Sequence, residues 1–136
     1  MFIYLIYLYF ILMKPGQMDA VRKHGENLKV IFNLPASTDP VVLCKSLRRY
    51  ENRASRLSVD YANGVIDGDK FEVESKKILK SVNKLLHNSS GRVKVFVNGD
   101  PRGYALKIED DQMRSKGWNL EHDWGGYGLI APEIRG

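Results

Sequence analysis

A group of basic residues in the middle of the chain has the chemistry needed to bind phosphate. They fall on one face of a predicted helix and are Lys45, Arg48, Arg49 and Arg56, with Arg53 at the flank. Arginine suits phosphate because its planar guanidinium can donate to two oxygens at once. The pattern predicts a nucleic-acid-binding face, with a solvated outer helix face as the alternative. Glu51 and Asp60 reduce its positive charge, and no aromatic residue there could stack on bases.

Two glycine-rich turns near the C-terminus carry side chains suited to an anionic ligand. The first spans residues 98–104 and the second residues 123–128. Glycine lets a ligand approach the backbone closely, and aromatic rings could stack on a planar group while Arg and Lys bind its anion. The predicted ligand-binding residues are Arg102, Tyr104, Lys107, Trp124 and Tyr127. The alternative is two tight turns locked by aromatic packing, with an Arg102–Asp123 ion pair serving this reading equally well.

The residue pattern gives little support to metal binding or catalysis. The three histidines are far apart in sequence and Cys44 is the one cysteine, so no pair has the spacing of a zinc or iron site. The chain has no nucleophile elbow, P-loop or dinucleotide-binding glycine run. The segments Glu109–Asp111 and Glu121–Asp123 are typical of solvated loops. We therefore expect no metal, no cofactor and no catalytic residue, and we favour a non-catalytic protein over an enzyme.

The basic face requires a long helix, and the sequence predicts one clearly. Asp39 can cap its N-terminus, and Pro40 suits its first turn. Apolar residues recur at intervals of four and three from Leu43 to Tyr61, which makes one seam for packing. Asn63-Gly64 ends the helix, because glycine adopts the left-handed conformation common at that position.

One further helix is predicted on each side of the long one. The upstream helix covers residues 19–34, where Gly25 weakens the pattern. The downstream helix can be capped by Asp67 or Asp69, and its seam runs from Phe71 to Leu85. Because the link before it is short, the long helix and the downstream helix are expected to form an antiparallel hairpin.

After the helices the apolar period changes from helical to two. Residues 92–97 and 104–108 are predicted to form a β-hairpin around the turn at 98–103. A final strand is predicted over residues 127–131. The expected fold class is therefore α+β, with an antiparallel helix hairpin packed on a small antiparallel β-sheet made of the hairpin and the C-terminal strand.

Composition is that of an ordinary globular protein. Apolar residues make up 43% of the 136 residues and charged residues 27%, which fits one folded domain. The net charge of +5 permits nucleic acid, nucleotides or acidic proteins as partners and selects none of them. A single cysteine excludes an intrachain disulfide and favours a reducing compartment, so we expect a cytoplasmic protein.

The first seventeen residues differ from the rest of the chain. Met1–Met13 is an unbroken apolar run, shorter than the about 20 residues of a membrane-spanning helix, and it lacks the flanks of a signal peptide. We predict that Met18 is the true start, that residues 1–17 come from upstream translation, and that residues 18–136 form a single α+β domain. A short membrane anchor or an extra β-strand are the alternatives, and mass spectrometry of the native N-terminus distinguishes them.

Three segments resemble short proteins of tailed bacteriophages and prophages. They are Leu47–Ala54 running on to Tyr61–Gly64, Phe96–Ile108 and Asp123–Pro132. The resemblance covers roughly residues 19–134 and leaves out the apolar N-terminus. That group has no established activity, so the resemblance implies only a context, which is expression in a bacterial cytoplasm during infection or from a prophage.

Three functions are compatible with these observations. The first is a small phage-type accessory protein that binds an anionic, nucleotide-like ligand at the two turns. The second is a nucleic-acid-binding accessory protein that uses the basic helix face. The third is an adaptor or inhibitor of a host protein, because aromatic and arginine side chains also suit a protein interface. No membrane partner is expected unless residues 1–13 are expressed.

Overall fold

A computed structural model describes residues 15–97, 99, 104–109 and 129, and it confirms the α+β fold class. The described helices are α1 (Pro15–Ile31), α2 (Pro40–Ala62) and α3 (Gly68–Leu86), and the strands are β1 (Val93–Val95) and β2 (Leu106–Ile108). Helix α2 is central, because α1, α3 and β2 all pack against it, while β1 packs against α3. The strands pair antiparallel, with Lys94 opposite Lys107.

The predicted limits of α2 are confirmed and have local causes. The Asp39 carboxylate accepts hydrogen bonds from the backbone N–H groups of Val41 and Val42 at 2.9 and 3.1 Å, so it caps donors that the helix leaves unpaired. Pro40 occupies the first turn, as predicted. Asn63 caps the C-terminus, and Gly64 follows in the left-handed conformation with φ of 74°.

The other two helices differ slightly from the prediction. Asp67, one of the two predicted caps, accepts the backbone N–H of Lys70 at 2.8 Å and starts α3. Helix α1 begins at Pro15, four residues earlier than predicted. Proline breaks the interior of a helix, but it suits the first turn, where its missing N–H is not needed. It ends at Ile31, and Asn33 turns the chain with φ of 51°.

Both strands are shorter than predicted, although their pairing extends beyond them. The backbone N–H of Phe96 donates to Ala105 O at 2.7 Å, and that of Glu109 donates to Arg92 O at 2.7 Å. The N–H of Ala105 donates instead to the Glu51 carboxylate. That bond removes a ladder donor, so regular β2 begins only at Leu106.

Leu129 is the described residue of the predicted final strand. Its backbone N–H donates to Leu106 O at 3.3 Å, and its side chain is fully buried. The remainder of that predicted strand lies outside the described residues, as do the turn at 123–128 and most of the turn at 98–103. The predicted boundary at Met18 also stays a prediction, because residues 1–14 are not described.

The core lies between the three helices and the small sheet. Its largest fully buried side chains lie on all three helices, on β2 and just after α1, and Leu129 joins them. They include Leu28, Phe32, Leu47, Leu86, Leu106 and Leu129. These residues are distant in sequence, so the core forms only when all the elements pack together. Burial of this apolar surface stabilises the fold by about 25 cal/mol per Å².

Cys44 lies in this core and should be almost unreactive in the folded protein. Its Sγ is 3.7 Å from Val21 O, and burial raises the pKa of the thiol from 9.0 to about 12. The thiolate fraction at pH 7.5 is therefore about a thousandfold lower than in an unfolded chain. We therefore expect iodoacetamide to label the native protein about a thousandfold more slowly than the unfolded protein, with the labelling rate measured by intact-mass spectrometry. Equal labelling rates in buffer and in about 8 M urea, which unfolds most small domains, would contradict a buried thiol.

Candidate nucleic-acid interface

The predicted basic face runs along the outer side of α2. Arg49, Arg53 and Arg56 are exposed, and Lys45 and Arg48 are half-buried. From Lys45 to Arg56 the helix rises about 16 Å, at 1.5 Å per residue. The opposite side of the same helix is fully buried, as Leu47 and Ala54 show. One helix thus packs the core and presents a row of cations.

The arginines of this face are not neutralised within the described part of the chain. The ion pairs there join other residues, such as Lys76 with Glu72 and Lys94 with Glu109, and no described carboxylate comes within 4.0 Å of Arg48, Arg49, Arg53 or Arg56. The Arg53 guanidinium carbon lies 6.0 Å from the centre of the Tyr50 ring, which holds the side chain loosely on the helix. These guanidinium groups can therefore accept an external anion.

The pKa of Lys45 lies below its usual range, and besides burial, neighbouring positive charge contributes to this shift. Burial lowers the pKa of its ammonium group, and repulsion from Arg48 and Arg49 lowers it further. Like charges held this close repel one another, so the face favours a counter-anion. The effect is sensitive to salt because the guanidinium groups lie at the surface.

Glu51, which we expected to dilute this face, does not lie on it. Glu51 is only 1% exposed, and its two carboxylate oxygens accept the backbone N–H groups of Ala105 at 2.7 Å and Leu106 at 2.8 Å. The side chain points into the fold and ties α2 to β2. Asp60 is half-buried near the end of the face, so one of the two acids remains there.

Two clefts lie on either side of Arg56. The first, about 220 Å³, lies between α2 and α3 and contains Asp60 and Glu74 beside the arginine. The second, about 280 Å³, is lined by Asn52, Ser55, Arg56 and Val59, with no acid among its described lining residues. A phosphate group is repelled by the acids of the first cleft, so the second cleft suits it better.

The predicted ligand-binding residues are only partly described. Tyr104 is half-buried beside the start of β2. Lys107 is half-buried, with its Nζ 5.3 Å from the centre of the Phe96 ring, and it lies directly opposite Lys94. Arg102, Trp124 and Tyr127 lie outside the described residues. That the five form one site stays a prediction.

A second basic region, which sequence reasoning missed, lies between α3 and β1. It is a cavity of about 360 Å³ with Lys76, Lys80 and Lys94 among its lining residues and Leu79 and Val93 as its apolar part. The sequence shows Lys76 and Lys80 one helical turn apart, which is a signal for a basic edge of the helix. The approach of Lys94 is visible only in the tertiary structure.

The described residues include no cluster of three or more metal-ligating side chains. Of the histidines, His24 is buried at 3% exposure, and its Nε2 lies 2.6 Å from Leu129 O, a contact that joins Leu129 to α1. None of the helices in the described ranges is both long enough and apolar enough to cross a membrane.

Comparison with known proteins finds no relative. Neither a protein-family model, nor a curated protein, nor a solved structure matches this chain.

Proposed function

We propose that this protein is a non-catalytic accessory protein that binds nucleic acid through the basic face of α2. The observation that carries the proposal is the row of five cations on one helix face, in which no described carboxylate pairs with any of the four arginines. An ordinary solvated helix face mixes both signs of charge and forms ion pairs between successive turns. Helix α3 shows this ordinary pattern, with Glu72 paired to Lys76 and Glu74 paired to Lys77, whereas the basic face of α2 does not.

The length of the face favours a polyanion over a single phosphate. Duplex DNA carries one negative charge per about 1.7 Å of axis, so about 16 Å of helix can meet several phosphates. Each contact releases condensed counterions, and this entropy gain drives binding. Binding of a polyanion also relieves the repulsion from Arg48 and Arg49, which adds to the effect of burial on the pKa of Lys45.

The chemistry of the face favours contact with the nucleic-acid backbone. Its exposed donors are guanidinium groups and the amide of Asn52, which suit phosphate oxygens. The ring of Tyr50, on the same helix, is half-buried and lies beside Arg53, so it is poorly placed to stack on a base. We therefore expect binding with little sequence preference. The resemblance to phage proteins is compatible with such a role in a bacterial cytoplasm.

The test is a fluorescence-anisotropy titration of a DNA duplex of about 20 base pairs, which spans roughly two helical turns. The titration is repeated at a series of salt concentrations. The variant carries Arg48→Gln, Arg49→Gln and Arg56→Gln together. We expect wild-type affinity to fall steeply with salt, and the variant's slope of log K against log salt to be shallower by about three, because each lost phosphate contact reduces it by about one.

A matched control removes the same charge elsewhere. Lys70→Gln, Lys77→Gln and Lys84→Gln change three exposed lysines of α3, so the net charge falls equally. The control should keep most of the wild-type slope, and circular dichroism should show both variants folded. Equal loss in the two variants would mean that net charge alone drives binding, and the proposed face would be rejected.

A second candidate function is the anionic-ligand module predicted from the two turns. Lys94 and Lys107 are direct neighbours across the two strands, and like charges in that arrangement destabilise a sheet unless an anion lies between them. Glu109 supplies one such charge to Lys94, at 3.1 Å. We expect ATP to raise the melting temperature of the wild type in a thermal-shift titration and Lys107→Gln to reduce that rise. An unchanged rise would exclude Lys107 from the site.

A further inference from the structure

From the cavity between α3 and β1, we infer a second, independent binding site, for a small organic phosphate of about the size of a nucleoside monophosphate. The cavity measures about 360 Å³, which lies in the range of small-molecule pockets. Among the residues that the structure describes, no acidic side chain lines it. The cavity lies on the other side of α3 from the cleft that holds Arg53 and Glu74.

Three lysines supply the positive charge. Among the described residues Lys80 has no ion-pair partner, while Lys76 and Lys94 pair with Glu72 and Glu109, both at 3.1 Å. Those two pairs are exposed, with the lysine side chains 74% and 54% accessible, so each contributes little stability. A phosphate dianion can therefore replace the carboxylates as the nearest negative charge.

The turn after α3 adds directed hydrogen-bond donors. Asn83 Oδ1 accepts the Ser89 hydroxyl at 3.0 Å, which fixes the amide and leaves its NH₂ group for another acceptor. Within the described part of the chain, the backbone N–H groups of Ser90 and Gly91 donate no hydrogen bond. Gly91 has φ of 75°, a left-handed conformation of the kind that turns consecutive N–H groups towards an anion.

The apolar part of the lining indicates the rest of the ligand. Leu79 and Val93 contribute apolar surface to the same cavity that the lysines line. Phosphate alone gains nothing from such surface, whereas a sugar or base attached to the phosphate would bury it. The combination therefore favours an organic phosphate over inorganic phosphate.

The experiment is a titration of the full-length, ¹⁵N-labelled protein with AMP, followed by backbone amide shifts. We expect saturable shifts at Ser90 and Gly91, and at least tenfold weaker binding of AMP by a Lys80→Gln/Lys94→Gln variant. Adenosine, which lacks the phosphate, and inorganic phosphate, which lacks the apolar part, should each bind at least tenfold more weakly than AMP.

The control variant is Arg48→Gln/Arg49→Gln, which removes the same charge from the face of α2 and should bind AMP like wild type. The inference is overturned if the lysine variant binds AMP unchanged, if adenosine or inorganic phosphate binds as well as AMP, or if the shifts fall away from Ser90 and Gly91. Its failure would leave the nucleic-acid proposal untouched, because the two sites share no residue.

Discussion

Replacing Glu51 with glutamine is expected to lower the free energy of unfolding by about 3 kcal/mol, because it breaks a buried, charge-assisted link between α2 and β2. Both carboxylate oxygens accept a backbone N–H, one from Ala105 and one from Leu106. Glutamine offers only one oxygen and turns its NH₂ group towards the other donor. That donor then stays buried without an acceptor, which costs more than the loss of an exposed hydrogen bond.

Urea denaturation followed by circular dichroism measures this change. Glu72→Gln is the matched control, since its carboxylate is 65% exposed and pairs with Lys76 at the surface. That pair should be worth less than about 1 kcal/mol. Hydrogen exchange gives a second readout, because the amides of Ala105 and Leu106 should lose protection in the Glu51 variant. Equal destabilisation by both substitutions would show that Glu51 does not hold the strand.

Replacing Gly25 with alanine is expected to destabilise the protein by about 2 kcal/mol, although alanine is the better helix former. Gly25 is buried where α1 crosses the first turn of α2. A Cβ at this position would lie 2.7 Å from the Pro40 carbonyl carbon and 2.7 Å from the Pro40 Cβ, closer than carbon atoms pack. Since these atoms belong to backbone and to a rigid ring, the two helices would have to separate.

Gly68→Ala provides the control for the glycine substitution. Gly68 is the first residue of α3, and its nearest neighbour would be the Tyr61 hydroxyl at 3.6 Å, an ordinary contact. We expect that variant to be as stable as wild type or up to about 1 kcal/mol more stable. Melting temperatures of the two variants, compared side by side, check both expectations. A Gly25→Ala protein that melts at or above the wild-type temperature would mean that α1 and α2 do not approach this closely.

Gly25 also shows that one residue can carry two meanings, of which the sequence pattern reveals only one. In the sequence it weakens the helix prediction, because glycine is a poor helix former. In the fold it is the residue that lets α1 approach Pro40. The helical period identifies the helix in spite of the glycine, but the reason for the glycine lies fifteen residues further along the chain, in α2.

Glu51 shows the same limit for a charged residue. It follows Leu47 by four positions and precedes Ala54 by three, so helical geometry already puts it beside the buried seam. We expected it to reduce the positive charge of the basic face, whereas it is buried, and a buried carboxylate needs partners. Its partners are backbone N–H groups 54 and 55 residues away, which no local pattern reveals.

The sequence by itself determined what depends on neighbouring residues. The limits of α2 follow from Asp39, Pro40 and Gly64, because capping and left-handed turns are local interactions, and the outer row of cations follows from the helical period. Only the tertiary structure decided which charges are buried, which glycine marks a helix crossing, and that Lys94 joins Lys76 and Lys80 around one cavity. These features require residues distant in sequence to pack together, and that packing is set by the whole core at once.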